Sequence, residues 1–422
     1  MSIGQRLIKS STIILVGTVV ASLFSYLFNM LMGRMLGPIK YGELTALMSL
    51  LAIISVAGGA ILTITMRYSG ELYALKNYSA IKRLFWYFTR YLLIFGVALF
   101  ALGAIFSRQI GEFFSISDNV AVIIILLSIV FSLIVVVSRG VLQGTQKFTA
   151  ISIVGIVEMF SRFALGVILV KLGFELKGAV SALVLATAIG YISTLIPIRS
   201  IFIKAKKSTQ RFVFNKKEML SYSWPTLLAS ILLAVSINLD IILVKHYFPA
   251  EEAGLYAAVS TIGKIILYAT GPIVSVMFPM ISEQTAKKEK HYKIFLLSLT
   301  MTLVGALIIL GIYVIAPGKV ISILYGGTYA SLYYLLPQVG VAVLFYALIN
   351  LICNYFLAVK NFLFAWFFAI IILAQIIIVA LWHPSIEAVV RVFITTNGVL
   401  ALLLLGYYIY VKREQLLEYI RS

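Results

Sequence analysis

Apolar positions in this chain run in long unbroken blocks and do not alternate with polar ones. A helix crossing a hydrocarbon core of about 30 Å needs roughly 20 mostly apolar residues. Twelve blocks meet that length, in order about 12–33, 44–66, 86–106, 119–138, 148–170 and 178–198, then 220–244, 255–280, 294–316, 330–353, 362–382 and 388–411. The polar–apolar alternation of barrel strands is absent. The pattern therefore predicts an all-α integral membrane protein with twelve transmembrane helices. Segments between blocks are at most about twenty residues, too short for a soluble catalytic domain. The first block follows a short basic lead, Arg6 and Lys9, without a small-residue cleavage site. It reads as an uncleaved first helix.

Composition agrees with the pattern. Of 422 residues, 62% are hydrophobic and 12% charged, where soluble domains carry about 25% charged residues. This excludes an ordinary soluble enzyme and a disordered chain. The formal net charge is +19, which in a soluble chain would point to nucleic acid. Here the basic residues report topology, and no nucleic-acid partner is expected. With the N-terminus inside and the spans alternating, 24 basic residues fall on inner segments and 8 on outer ones. Both termini are then cytoplasmic, in the cell membrane. The densest run holds Arg199, Lys204, Lys206, Lys207, Arg211, Lys216 and Lys217. It reads as a linker lying on the anionic inner leaflet, or else as a partner-binding segment. Cys353 stands alone, and His246, His291 and His383 are scattered, so no metal site or cofactor is expected.

The basic run also divides the chain, giving a six-helix bundle over 1–198, a linker over 199–218 and a second six-helix bundle over 219–422. The halves echo one another. Pro38 and Pro249 each precede the second span of their half and lie 211 residues apart. Val20–Leu23 resembles Leu228–Ile231, and Gln143–Phe148 has an echo in Leu357–Phe362. Six spans per half place both halves in the same orientation, a parallel repeat. Transporters built from such repeats hold the substrate between the halves and rock one against the other.

Short motifs carry a resemblance to a known family. Gly33-Arg34-Met35-Leu36-Gly37-Pro38-Ile39-Lys40-Tyr41-Gly42 follows span one, Arg67 ends span two, and Leu142-Gln143-Gly144 with Lys147-Phe148 leads into span five. Asn238–Leu243 and Gly254–Ala258 complete the set. Together they resemble the polysaccharide repeat-unit flippases, the Wzx-type O-antigen and teichoic acid exporters. That family shares a superfamily with lipid II flippases and multidrug (MATE) exporters. The resemblance implies a MATE-like fold and alternating access. The implied cargo is a polyprenyl-diphosphate-linked oligosaccharide moved from the inner to the outer face. It also implies H+ or Na+ as the coupling ion, membrane lipids and polysaccharide polymerase or assembly proteins as partners, and a functional monomer.

Charges inside the spans are the candidate machinery, because each costs at least about 2.5–3.5 kcal/mol unless it faces a cavity or a partner. Glu158 and Arg162 are four residues apart and share one helix face. They read as a structural ion pair holding span five to its neighbours, or as a cavity wall with Arg162 open to phosphate and Glu158 holding it in place or serving as a proton or sodium site. Lys264 shares a small, polar face with Ala257, Ser260, Tyr268, Gly271 and Ser275. It reads as a cavity cation for the diphosphate, and lipid II flippases place a basic residue similarly; the alternative is a lysine paired within its own half. Asp240, with Ser236, Ser230 and Thr226, faces the matching stripe of Thr18, Ser22, Ser25 and Asn29 across the repeat. Asp240 and Asn29 are coupling or gate candidates, Asp240 alternatively a cap for an outer loop. Arg34 is an anchor or a gate. The family motif makes Arg67 a first contact for the diphosphate, and Arg139 is of the same kind. Gly271 and Pro272 form a candidate hinge in span eight.

Other classes remain. A multidrug exporter of the same fold favours acidic cavity groups. A membrane glycosyltransferase or polymerase needs large loops and clustered acids. The fifteen acids include no D-x-D, so enzyme activity is not expected. A passive scaffold leaves the buried charges without a purpose.

Overall fold

A computed structural model describes residues 3–116, 118–205, 216–286 and 289–420. Every regular element among them is helical. The first set comprises α1 (Ile3–Ser55), α2 (Ala57–Ala74), α3 (Tyr78–Ile105), α4 (Ser107–Phe113), α5 (Asn119–Gly144), α6 (Phe148–Leu169) and α7 (Glu175–Ile203). The second comprises α8 (Lys216–Tyr247), α9 (Ala250–Gly263), α10 (Ile265–Ala286), α11 (Tyr292–Ile315), α12 (Pro317–Tyr325), α13 (Leu335–Ala358), α14 (Phe364–Leu381) and α15 (Ile386–Ile420). Helices of this composition satisfy their backbone groups internally, as a hydrocarbon environment demands.

Among the described residues, ten stretches are long and apolar enough to cross a membrane. Two of them are far longer than one crossing needs. Val16–Ser55 has 40 residues and Phe148–Ile203 has 56. Each contains a glycine in a backbone conformation that ends a helix: Gly37 with φ 74° and ψ 172°, and Gly173 with φ 88° and ψ 7°. Pro38 follows Gly37 directly, so the Leu-Gly-Pro motif is the physical break in α1.

Short connections repeat one turn. Lys76, Gln146 and Lys360 adopt positive φ of 55°, 57° and 58°. The following residue's amide closes the preceding helix: Asn77 onto Leu72, Lys147 onto Leu142 and Asn361 onto Phe356, each at 2.9 Å. This left-handed closure satisfies the last carbonyls of the helix before the chain turns back. The echo between Gln143–Phe148 and Leu357–Phe362 is thus one turn used twice.

The chain clusters into two compact units, Met1–Leu227 and Leu228–Ser422. In the first, α5 is central, packed on α2, α3 and α7, while α1 runs along α6. In the second, α13 is central, packed on α10, α11 and α15. Of the 199–218 stretch, residues 199–203 finish α7 and 216–218 open α8. Lys206, Lys207, Arg211, Lys287, Lys288 and Arg421 lie outside the described residues, as do the side chains of Arg6, Lys9, Lys216, Lys217 and Thr226.

Candidate functional site: two buried ionic clusters

Each unit sets a largely buried carboxylate against a cation. In the first unit, Glu158 on α6 is buried and accepts a hydrogen bond from Nη2 of Arg139 on α5. Gly190 on α7 makes room for it, since a Cβ there would stand 2.5 Å from Glu158 Oε2. Three helices thus meet at one carboxylate. Glu158 is thereby held by a cation of the neighbouring helix α5. The carboxylate turns into the gap that Gly190 leaves, where the planar fork of Arg139 reaches it. Arg162, one turn along α6, places its guanidinium 5.8 Å from the ring centre of Phe28. Phe28 is fully buried and abuts Gly166, where a Cβ would stand 2.7 Å from Phe28 Cε2.

The other candidates of this unit lie apart from that carboxylate's hydrogen bonds. Asn29 donates to the Ser25 carbonyl of its own helix at 2.9 Å. Arg34 is exposed, just before the Gly37 break. Arg67 donates from Nε to Oε1 of Glu71 at 3.1 Å, one turn away on α2, and both side chains are about half exposed.

In the second unit, Asp240 on α8 is the centre. Its Oδ2 accepts from Tyr256 Oη at 3.0 Å and Ser260 Oγ at 2.5 Å. Lys264 Nζ stands 3.8 Å from Oδ1. Tyr256, Ser260 and Lys264 recur every four residues, so one face of α9 and its C-cap presents all three. Asp240 is therefore an interior acceptor rather than a loop cap, and Lys264 is paired within its own half. A cavity of about 30 Å³ adjoins the pair, lined among others by Ser236, Tyr346 and Asn397. It has room for a water or two and none for a sugar.

A polar relay lies behind the cavity. Gln375 Nε2 on α14 donates to Asn397 Oδ1 at 2.9 Å and to Thr396 Oγ1 at 2.8 Å, both on α15. Asn397 donates onward to the Ala342 carbonyl of α13 at 3.3 Å. Tyr346 Oη donates to the Leu233 carbonyl of α8 at 2.7 Å. Sequence reading missed these groups. A signal was available for Gln375, which interrupts an otherwise apolar α14, and for Tyr256, which continues the Ser260–Lys264 spacing.

Between α9 and α10 lies a single turn residue, Lys264, whose backbone stays in the helical region and keeps helical hydrogen bonds, its amide to Ser260 and its carbonyl from Tyr268. Gly271 and Pro272, the expected hinge, lie inside a continuous α10. Among the described residues no group of three His, Cys, Asp or Glu could hold a metal ion.

Comparisons with known proteins bear on the whole chain. A search of curated protein sequences finds no match. Among solved structures, an inward-facing multidrug resistance MATE family transporter of the MOP superfamily superposes with TM-score 0.74 at 12% identity, covering 93% of this chain and 97% of that one. The lipid II flippase MurJ, in an inward closed conformation, gives 0.72 at 15% identity, covering 93% and 87%. A MATE protein in complex with MaD3S gives 0.66 at 15%, covering 98% and 96%. These likenesses establish a common fold. A family profile described as polysaccharide biosynthesis protein matches residues 7–285, more than half of the sequence. The chain, a multi-pass helical membrane protein with the fold of the MATE transporters and MurJ, belongs to the polysaccharide biosynthesis protein family.

Proposed function

We propose that this protein is an alternating-access flippase that moves a polyprenyl-diphosphate-linked oligosaccharide from the inner to the outer leaflet of the cell membrane. The family match supports the cargo class, and the fold shared with a lipid II flippase supports the type of movement. No bond is made or broken, so the protein is not an enzyme. Twelve crossings follow if the two long apolar stretches divide at Gly37 and Gly173. The basic-residue asymmetry then puts both termini in the cytoplasm. The protein works as a monomer beside polymerase and assembly proteins.

The observation that carries this reading is the way Lys264 is held. Its ammonium is buried in an apolar unit, yet stands 3.8 Å from Asp240, beyond hydrogen-bond length. A diphosphate carries more charge than one carboxylate and competes for such a lysine. Binding a proton or Na+ at Asp240 removes its hold on Lys264 and frees the cation for cargo. Asp240 is thus the coupling group, with the Gln375–Asn397 relay beside it. In the first unit, Glu158 orients Arg139, and Arg162 is the second phosphate contact. Arg34 and Arg67 receive the head group at the surface, and Asn29 belongs to the gate. A multidrug exporter draws support from the MATE likeness. The pairing of Glu158 and Asp240 with their own cations speaks against it, since neither leaves a bare acid for a cationic drug.

The test is transport by purified protein in liposomes of a fluorescent polyprenyl-diphosphate oligosaccharide, read as accessibility to added glycosidase. Wild-type flipping is expected, dependent on an imposed H+ or Na+ gradient, and abolished by Lys264→Ala and Arg162→Ala in folded protein. Flipping that survives both substitutions reduces these residues to structural roles. No flipping across several sugars and gradients sinks the cargo assignment and favours the multidrug reading.

A further inference from the structure

Away from the buried pairs, three lysines converge from separate elements at one end of the first unit. Lys82 lies on α3, Lys147 in the turn between α5 and α6, and Lys204 just after α7. Lys82 Nζ is 5.9 Å from the ring centre of Phe202. Lys204 Nζ is 5.9 Å from that of Tyr78, one turn before Lys82 on α3. Lys147 Nζ donates to the Pro197 carbonyl at 2.7 Å and to Ser200 Oγ. The three ammonium groups thus surround the last turns of α7. Lys147 sits outside the helices, and its pKa is lowered by burial first and then by the charge of Lys204. Like charges are crowded here.

The stretches of sequence that carry these lysines hold no acid. Segments 72–111, 119–157 and 176–217 contain no Asp or Glu. Glu71, just before the first of these, is engaged by Arg67. Arg83 and Arg199 add exposed positive charge nearby in sequence.

An apolar face begins where the charge ends. From Lys82 onward α3 exposes Trp86, Tyr91, Ile94, Phe95 and Leu102, each more than half exposed. On α7, Ile196 and Ile203 are about three-quarters exposed. A soluble anion needs only the lysines. A phospholipid needs both the lysines and the face that follows them, and an amine-bearing headgroup would set a further ammonium against three others. We propose that Lys82, Lys147 and Lys204 form a binding site for the phosphodiester of an anionic, amine-free phospholipid whose acyl chains lie on the exposed face of α3. Such a lipid ties the start of α3, the α5–α6 turn and the end of α7 to one leaflet. The proposal is independent of what the protein transports.

Trp86 reports on the site directly. The chain has four tryptophans, and changing Trp224, Trp366 and Trp382 to Phe leaves Trp86 as the fluorophore. The protein is reconstituted in phosphatidylcholine vesicles in which a minor fraction is brominated phosphatidylglycerol or, for comparison, brominated phosphatidylcholine. Stronger quenching by the brominated phosphatidylglycerol is expected, weakening in high salt. Each lysine near an anionic headgroup contributes about five-fold in affinity, so each of Lys82→Gln, Lys147→Gln and Lys204→Gln lowers the preference about five-fold. The single variants and the salt series keep the test open should the triple variant fail to fold. Equal quenching by the two lipids overturns the proposal. An equal loss from Lys171→Gln, Lys319→Gln and Lys360→Gln together also overturns it, by reducing the effect to net charge. Displacement by equimolar polyprenyl diphosphate reassigns the site to cargo and overturns the resident lipid.

Discussion

Lys264 and Glu158 illustrate how a buried charge acquires its meaning from its neighbours. Both stand out in the sequence, because a charge within an apolar block must face something. Their partners, Asp240 and Arg139, lie 24 and 19 residues away, and no helical spacing joins them. Removing one member of a buried pair strands the other, at a cost of about 3–5 kcal/mol. Asp240→Asn and Lys264→Met are each expected to lower the melting temperature in detergent. The double variant should recover most of that stability while transport stays lost. Recovery of transport in the double variant would make the pair purely structural. Gly190→Ala is a second case. Its methyl group would stand 2.5 Å from Glu158 Oε2 and push the carboxylate off Arg139, an overpacking cost of about 1–3 kcal/mol. A melting temperature equal to wild type would show that Glu158 has another way to sit.

Helix breaks are the decisive feature at the scale of elements. The Leu36-Gly37-Pro38 motif marks one of them in advance, because Gly37 takes φ 74° and ψ 172°, a region that residues with a Cβ avoid. Gly37→Ala is expected to destabilise the protein by about 1–3 kcal/mol, read as a lower thermal midpoint. An unchanged midpoint would mean that the break is not rigidly required. Span eight is a milder case. Proline at 272 is the hinge candidate of the sequence, and α10 is helical through it in this structure. Proline removes one amide donor, a modest loss when the surrounding helix is packed. At Lys264, between α9 and α10, the backbone hydrogen bonds continue while the side chain turns to Asp240.

Two compact units of similar internal plan make up the whole molecule. The central helices, α5 and α13, occupy equivalent places in the two halves, and the αL turns at Gln146 and Lys360 follow them directly. Cys353 is fully buried and should resist maleimide until the protein is denatured. That makes the natural chain a background for topology mapping. Leu172→Cys and Leu381→Cys should label with an impermeant maleimide from outside intact cells, and Leu75→Cys and Leu363→Cys only after permeabilisation. Labelling of all four from one side would reject the twelve-crossing arrangement.

Local chemistry alone determined much of this protein. Apolar blocks long enough to cross a bilayer can only be helices in lipid, so the all-helical membrane class and the separation of the first two spans around Gly37 and Pro38 were legible residue by residue. The Gly33–Gly42 motif likewise carried the family. Pairings between helices were a different matter. Which cation meets Glu158, that Tyr256 and Ser260 turn onto Asp240, that Gln375 reaches Thr396 and Asn397, and that three lysines from distant segments crowd one end of α7 all depend on helix rotation and packing. A helix's periodicity defines its faces, but only tertiary structure decides which face meets which, because that choice follows from side-chain volumes such as the missing Cβ at Gly190.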